Sequence, residues 1–251
     1  MDLLKSGNPA LTEKLFQKSM AIDQLDTMTV RGTMNKFAFL FLMVMATAIF
    51  TWKTYYDGKD VSVYMWGGAI GGLIIALIIV FKQQWAPWLA PVYGLCQGLF
   101  VGAISAYYNE AFAEIAPSII MQAVGLTFGT IIAMYFLYQA RIIKATQRFK
   151  TIVIMATLGI AIFYLIAFLL RLANVQIAFI HEGSTLGIIF SLAIVALAAL
   201  NLILDFDMIE NGATMGAPKY MEWYGAFGLL VTIVWLYLEI LRLLGKLNSR
   251  K

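Results

Sequence analysis

Seven apolar stretches, each about as long as a membrane is thick, constrain this sequence more than any other feature. A helix needs about 20 residues to cross a hydrocarbon core about 30 Å thick. The stretches that reach this length are Lys36–Tyr56, Val61–Phe81, Ala86–Tyr108, Ala116–Tyr138, Thr151–Leu172, Ser184–Asp205 and a last one within Trp223–Leu244. They predict an all-α integral membrane protein with seven transmembrane helices, whose first partner is the lipid bilayer.

The composition agrees with a membrane protein and excludes other classes. Of the 251 residues, 61% are hydrophobic and 13% are charged, whereas a soluble domain carries about 25% charged residues. The net charge of +4 comes from basic residues that stand singly between apolar stretches, and nucleic-acid binding requires such residues to cluster on one face. We therefore expect no nucleic-acid partner.

Residues that could carry chemistry are few. One cysteine, Cys96, and one histidine, His181, exclude a disulfide within the chain and a metal site built from several such residues. The sequence contains no Gly-x-Ser-x-Gly, His-Glu-x-x-His or paired intramembrane Gly-Asp motif. We predict no enzymatic activity, no cofactor and no firm metal site.

The basic residues predict which end of the protein faces the cytoplasm. Cytoplasmic loops are enriched in Lys and Arg, which favours a cytoplasmic amino terminus in a multi-pass protein of the cell (cytoplasmic or inner) membrane. We predict a cytoplasmic arm over residues 1–35 and a transmembrane domain over residues 36–251. Seven crossings place the basic carboxyl terminus outside, against this bias, and a last span that re-enters is the alternative. The residues that set the bias are Lys5, Lys14, Lys18, Arg31 and Lys36 in the arm and Arg141, Lys144, Arg148 and Lys150 after span four.

Glycines recur at every fourth position in three of the spans. Small residues at this spacing let helix backbones approach closely in lipid. The stripes predict a tightly packed bundle, and glycines that line a pore are the alternative. The glycines concerned are Gly67 and Gly71 (beside Gly68 and Gly72) in span two, Gly94, Gly98 and Gly102 in span three, and Gly125 and Gly129 in span four.

Two carboxyl groups stand in otherwise apolar sequence near the carboxyl terminus, Asp205 and Glu239. An ionisable group within a membrane costs several kcal/mol unless it is paired or hydrated. One interpretation places Asp205 at a helix end in water and pairs Glu239 with Arg242, three residues on. The other has both carboxyls facing the bundle interior, where two close acids share a proton.

At these residues the chain resembles the Bax inhibitor/YccA family, specifically its bacterial YccA-like branch. The likeness covers nearly the whole chain, including the Met28–Thr33 segment that enters span one. Asp205 is followed four residues later by Ile209, as at the end of span six in the family. Tyr237-Leu238-Glu239 matches an aromatic-leucine-aspartate element of the last span, with glutamate in place of aspartate.

The resemblance implies six helices around a central seventh, with the two carboxyls as a pH sensor and a basic partner near the start of span three. Lys82 is the nearest candidate for that partner. The stretch between Asp205 and Glu239 is longer than in better-known members. A helix that begins at Trp223 places Glu239 about 24 Å in, too deep for Asp205, whereas a crossing that begins near Leu229 places it about 15 Å in.

These expectations lead to two hypotheses for function. The first is a pH-sensitive cation leak channel, with calcium as the permeant ion and the carboxyl pair as the gate, because proton-dependent calcium leak is attributed to some members. The second is a non-transporting partner of other membrane proteins, which modulates a membrane protease or an assembly factor.

Overall fold

The computed structural model describes residues 27–173 and 184–249, and these residues form a bundle of helices. Seven of them are long and apolar enough to cross a membrane, as the sequence predicts. They are α1 Val30–Tyr56, α2 Ser62–Phe81, α3 Ala86–Ala111, α4 Ile119–Gln139, α5 Gln147–Leu172, α6 Thr185–Thr214 and α7 Met221–Asn248, with a short 3₁₀ turn at Gln83–Trp85 before α3.

Several helices extend beyond their apolar stretches. Helix α1 begins at Val30, before Lys36, because Thr29 caps it by accepting a hydrogen bond from the Gly32 N–H. Helix α6 continues past Asp205 to Thr214. The last residues of the predicted arm, from Val30 on, are therefore part of helix α1. Residues 1–26 of the arm lie outside the described part of the chain.

The end of α6 that extends beyond Asp205 is tied to the neighbouring helices. Lys150 of α5 forms an ion pair with Asp207. Arg141, after α4, pairs with Glu210 at 3.0 Å, and Tyr138 donates a hydrogen bond to the same carboxylate. These contacts give the polar turns of α6 partners, so the helix does not end where the apolar sequence ends.

Helix α7 lies at the centre of the bundle. It packs against α1, α3, α4 and α6, while α2 lies against α3 and α5 lies against α6. In the 18-residue apolar segment of α7, 61% of the residues are buried, compared with 6% in the corresponding segment of α5. The expected central seventh helix is therefore present: four helices pack along it, α5 reaches it through the Tyr164 side chain, and α2 lies on the periphery.

Close packing of α3 against its neighbours depends on glycine. A Cβ at Gly94 would lie 3.3 Å from the Leu40 carbonyl oxygen, and a Cβ at Gly98 or Gly102 would collide with the α1 backbone at Val44 or Ala48. On α2, a Cβ at Gly68 or Gly72 would meet α3 at 2.5 Å and 2.7 Å respectively. These glycines allow the backbones of α1, α2 and α3 to approach closely.

The glycine prediction does not hold for the other positions. A Cβ at Gly67, Gly125 or Gly129 would meet nothing within 4 Å, and one at Gly71 would make ordinary contact with Cys96 Sγ at 3.5 Å. The reason is helix geometry: the face of α2 that meets α3 carries Gly68 and Gly72 instead. On α4 the buried face carries larger residues, Ile119, Ala123, Thr127, Met134 and Tyr138.

Candidate functional site

The antiparallel pair formed by α6 and α7 has a fixed register along most of its length. At one end, Lys246 Nζ donates hydrogen bonds to Ser191 Oγ at 2.8 Å and to the Gly187 carbonyl at 3.1 Å. Towards the other end, the Asp205 carboxyl adjoins the Thr232 side chain. The spacing from Ser191 to Asp205 on α6 equals the spacing from Thr232 to Lys246 on α7, so one register accounts for both contacts.

A row of buried polar side chains runs along one side of the central helix. Thr232, Glu239 and Lys246 are buried and follow one another at seven-residue intervals. Seven residues make about two helical turns, so the three side chains lie on one side of α7. We call Thr232, Glu239 and Lys246, together with Asp205 of α6, the polar face.

Asp205 is the incompletely paired member of the polar face. Its Oδ2 atom is buried and has no hydrogen-bond partner among the described residues. The Thr232 hydroxyl beside it donates to the Gly228 carbonyl at 3.3 Å. A buried polar atom without a partner is rare in proteins and costs free energy, which marks this carboxyl as a site of chemistry or of hydration.

Glu239 has a complete set of partners. Its side chain is 2% exposed, and both carboxylate oxygens accept hydrogen bonds from Arg242 Nη1, at 2.8 and 2.9 Å. The Tyr164 hydroxyl donates to Oε1 at 3.0 Å, and Trp235 Nε1 reaches the same atom at 3.3 Å. The Arg242 guanidinium lies over the Tyr164 ring at 5.1 Å. The structure therefore has the predicted salt bridge between Glu239 and Arg242.

The structure does not bring Asp205 and Glu239 together. Asp205 lies at the level of Thr232, and Glu239 is seven residues farther along α7, a rise of about 10 Å. In the same register the residue of α6 that faces Glu239 is Ala198, which is fully buried. The predicted carboxyl pair fails because α6 runs past Asp205 to Thr214 and α7 begins at Met221, which displaces the register by about two turns.

Lys82 is not the basic partner of either carboxyl. It is exposed at the carboxyl-terminal cap of α2, and within the described ranges its side chain forms no ion pair with Asp205 or Glu239. The basic residue that reaches a predicted sensor carboxyl is Arg242, on the same helix as Glu239.

A second buried carboxylate, Glu222, was not singled out from the sequence. It is fully buried at the start of α7 and forms ion pairs with Lys36 of α1 and with Lys219, the latter at 2.9 Å. The Thr29 N–H and hydroxyl also donate to it, at 2.9 and 2.8 Å. A Cβ at Gly32 would collide with this carboxylate. The cluster joins the start of α1 to the start of α7, so these two helices run parallel.

The seven-residue spacing of Thr232, Glu239 and Lys246 is visible in the sequence and could have revealed the polar face. Tyr164 carries no such signal, because one tyrosine in an apolar helix does not indicate its partner. In the part of the chain that the structure describes, no three His, Cys, Asp or Glu residues lie together as metal ligands. Calcium as a permeant ion therefore stays a prediction.

Comparison with protein families gives a match over nearly the whole chain. A protein-family model described as Bax inhibitor 1 like matches residues 8–249. No curated protein and no solved structure matches the chain. The match covers the described polar face and all seven helices.

Proposed function

The chain belongs to the Bax inhibitor 1 like family, and on that premise we propose that it is a pH-sensitive cation leak channel with calcium as the permeant ion. Protonation of Asp205 controls the channel, and the cluster of Glu239, Arg242 and Tyr164 closes it. The observation that supports this most strongly is the buried Oδ2 atom of Asp205 at the α6–α7 interface, which has no hydrogen-bond partner among the residues that the structure describes.

A proton changes the charge of Asp205, and within the described ranges no ion pair compensates that charge. The neutral acid is tolerated in an apolar interface, whereas the carboxylate demands water or a cation. The other carboxylates of this part of α6 already have cations: Asp207 has Lys150 and Glu210 has Arg141. The Thr232 hydroxyl is the polar group that faces Asp205 from α7. Loss of the proton therefore favours hydration and separation of α6 from α7.

On this proposal, the conformation described here is the closed state. A cation that follows the polar face past Asp205 next meets Arg242 and Lys246, whose positive charges oppose its passage. Arg242 is held by Glu239 and by Tyr164 of α5. Helix α5 is the least enclosed of the seven, so it is the element that can move away and release Arg242.

Calcium entry into dye-loaded liposomes tests the proposal. We expect wild-type protein to admit more calcium as the pH is raised from mildly acidic to neutral, because deprotonation of Asp205 favours the hydrated state. Asp205→Asn should flatten this dependence, since an amide does not titrate in that range. Asp207→Asn is the matched control: it lies two residues away but is paired with Lys150, and it should retain the dependence.

Two outcomes contradict the proposal. If wild-type liposomes admit no calcium over this range, the protein is not a calcium leak channel, and the non-transporting partner of other membrane proteins takes its place. If Asp205→Asn and Asp207→Asn behave alike, Asp205 is not the controlling group.

A further inference from the structure

A slot between α1 and α4 reaches the central helix from the side of the bundle. Its volume is about 360 Å³, and α3 and α7 form its floor. At its rim, Ile49 of α1 is 61% exposed and Phe128 of α4 is 45% exposed. Both helices are membrane spans, so the slot opens towards the hydrocarbon of the bilayer.

The ends of the slot place it in one leaflet. Phe41 and Phe128 meet edge to face with ring centroids 5.9 Å apart. This contact joins α1 to α4 at the end of the slot that lies near the middle of the bilayer. Trp52 lines the other end, beside Lys53 and near the end of α1. From Phe41 to Trp52 the helix rises about 16 Å, and half of a hydrocarbon core about 30 Å thick is about 15 Å. The slot is therefore as long as one leaflet is deep.

The walls of the slot offer almost no polar group to a ligand. The three hydroxyl-bearing residues on it have internal partners: Ser105 and Tyr237 bond each other at 2.6 Å, and Thr127 donates to the Ala123 carbonyl at 2.7 Å. Water in a cavity needs two to four polar partners, and an ion needs more. The remaining walls are aliphatic and aromatic, as in pockets for apolar ligands.

We propose that this slot binds one acyl chain of a phospholipid from the leaflet at the carboxyl-terminal end of α7. The chain enters sideways between α1 and α4, lies along α1 and packs against Ile233 and Tyr237 of the central helix. Length, apolar lining and an opening to the membrane interior together favour hydrocarbon over any aqueous ligand. The site is separate from the polar face.

Native mass spectrometry tests the site. Wild-type protein is reconstituted in dioleoyl-phosphatidylglycerol liposomes, extracted again in mild detergent, and examined for a retained phospholipid. We expect one retained lipid per protein. Val124 lines the slot, and Val124→Trp places a large side chain there. This variant should lower the fraction of protein that retains a lipid at least five-fold. Leu126→Trp is the control on the same helix, because Leu126 is 52% exposed and does not line the slot; it should retain the lipid.

Equal occupancy in Val124→Trp and wild type, or no retained lipid on wild type, would overturn the proposal. If the wild-type protein retains a fatty acid and no phospholipid, the assignment to phospholipid is overturned. If Val124→Trp does not fold, wild-type protein in liposomes with a phospholipid that carries a photoreactive mid-chain group decides the question. Cross-links concentrated at 41–52 and 120–128 support the site, and cross-links spread evenly over the exposed helix faces contradict it.

Discussion

Asp205 of α6 and Thr232 of α7 lie opposite each other, about two helical turns from Glu239. The same register places Lys246 against Ser191. The two carboxyls that stand out in the sequence consequently have different environments. Glu239 has Arg242 and Tyr164 as partners, whereas Asp205 has a buried oxygen without a partner in the described ranges. On the proposed function, this difference makes Asp205 the controlling group.

The Glu239–Arg242 pair should be strongly coupled. Arg242→Ala leaves a buried carboxylate without its cation, which costs several kcal/mol, and Glu239→Gln removes that charge. We expect the double variant to be less destabilised than the sum of the two single variants, by at least about 1 kcal/mol. Thermal unfolding of the four proteins in one detergent measures the coupling. Additive effects would show that the pair does not stabilise the bundle.

Glu222 should stabilise the contact between the starts of α1 and α7. Glu222→Gln weakens two ion pairs and two hydrogen bonds from Thr29, and we expect a loss of about 2 kcal/mol, or a Tm lower by about 4–8 °C. Glu210→Gln is the control, because the Glu210 side chain is 41% exposed and exposed ion pairs contribute less than about 1 kcal/mol. Similar losses in both variants would argue against the role of Glu222.

Glycine positions should separate into two groups. Gly98→Leu forces a side chain into the α1 backbone at Val44, so we expect a lower melting temperature or aggregation in detergent. Gly125→Leu places the same side chain where a Cβ meets nothing within 4 Å, and its melting temperature should be close to that of wild type. A Gly98→Leu protein that is as stable as Gly125→Leu would contradict the packing of α1 on α3.

The two ends of α7 should lie on opposite sides of the membrane. Thr146 lies between α4 and α5, at the end of the bundle where α7 begins, and Ser249 follows α7 at the other end. Single cysteines at these positions, in a Cys96→Ala background, should react with membrane-impermeant reagents from opposite faces. We predict that position 146 is cytoplasmic. Labelling of both positions from one face would show that α7 re-enters the membrane.

The sequence predicted the elements of this fold better than their contacts. Apolar length is a local property, so all seven helices follow from it. The register of α6 against α7 depends on polar turns beyond the apolar stretch, where Lys150 and Arg141 stabilise the end of α6. The length of an apolar stretch does not contain that information. The predicted pairing of Asp205 with Glu239 was wrong for this reason. The glycines of α4 show the same limit, because spacing does not tell which side of a helix faces lipid.

The central claim of the proposed function is that Asp205 is the carboxyl group that binds and releases the proton. Infrared difference spectra of the protein in liposomes, recorded between mildly acidic and neutral pH, measure this directly through the carbonyl band of a protonated carboxyl group. We predict that the band is present in wild type, lost in Asp205→Asn and retained in Glu239→Gln. A band that survives in Asp205→Asn, or that disappears in Glu239→Gln, would contradict the account.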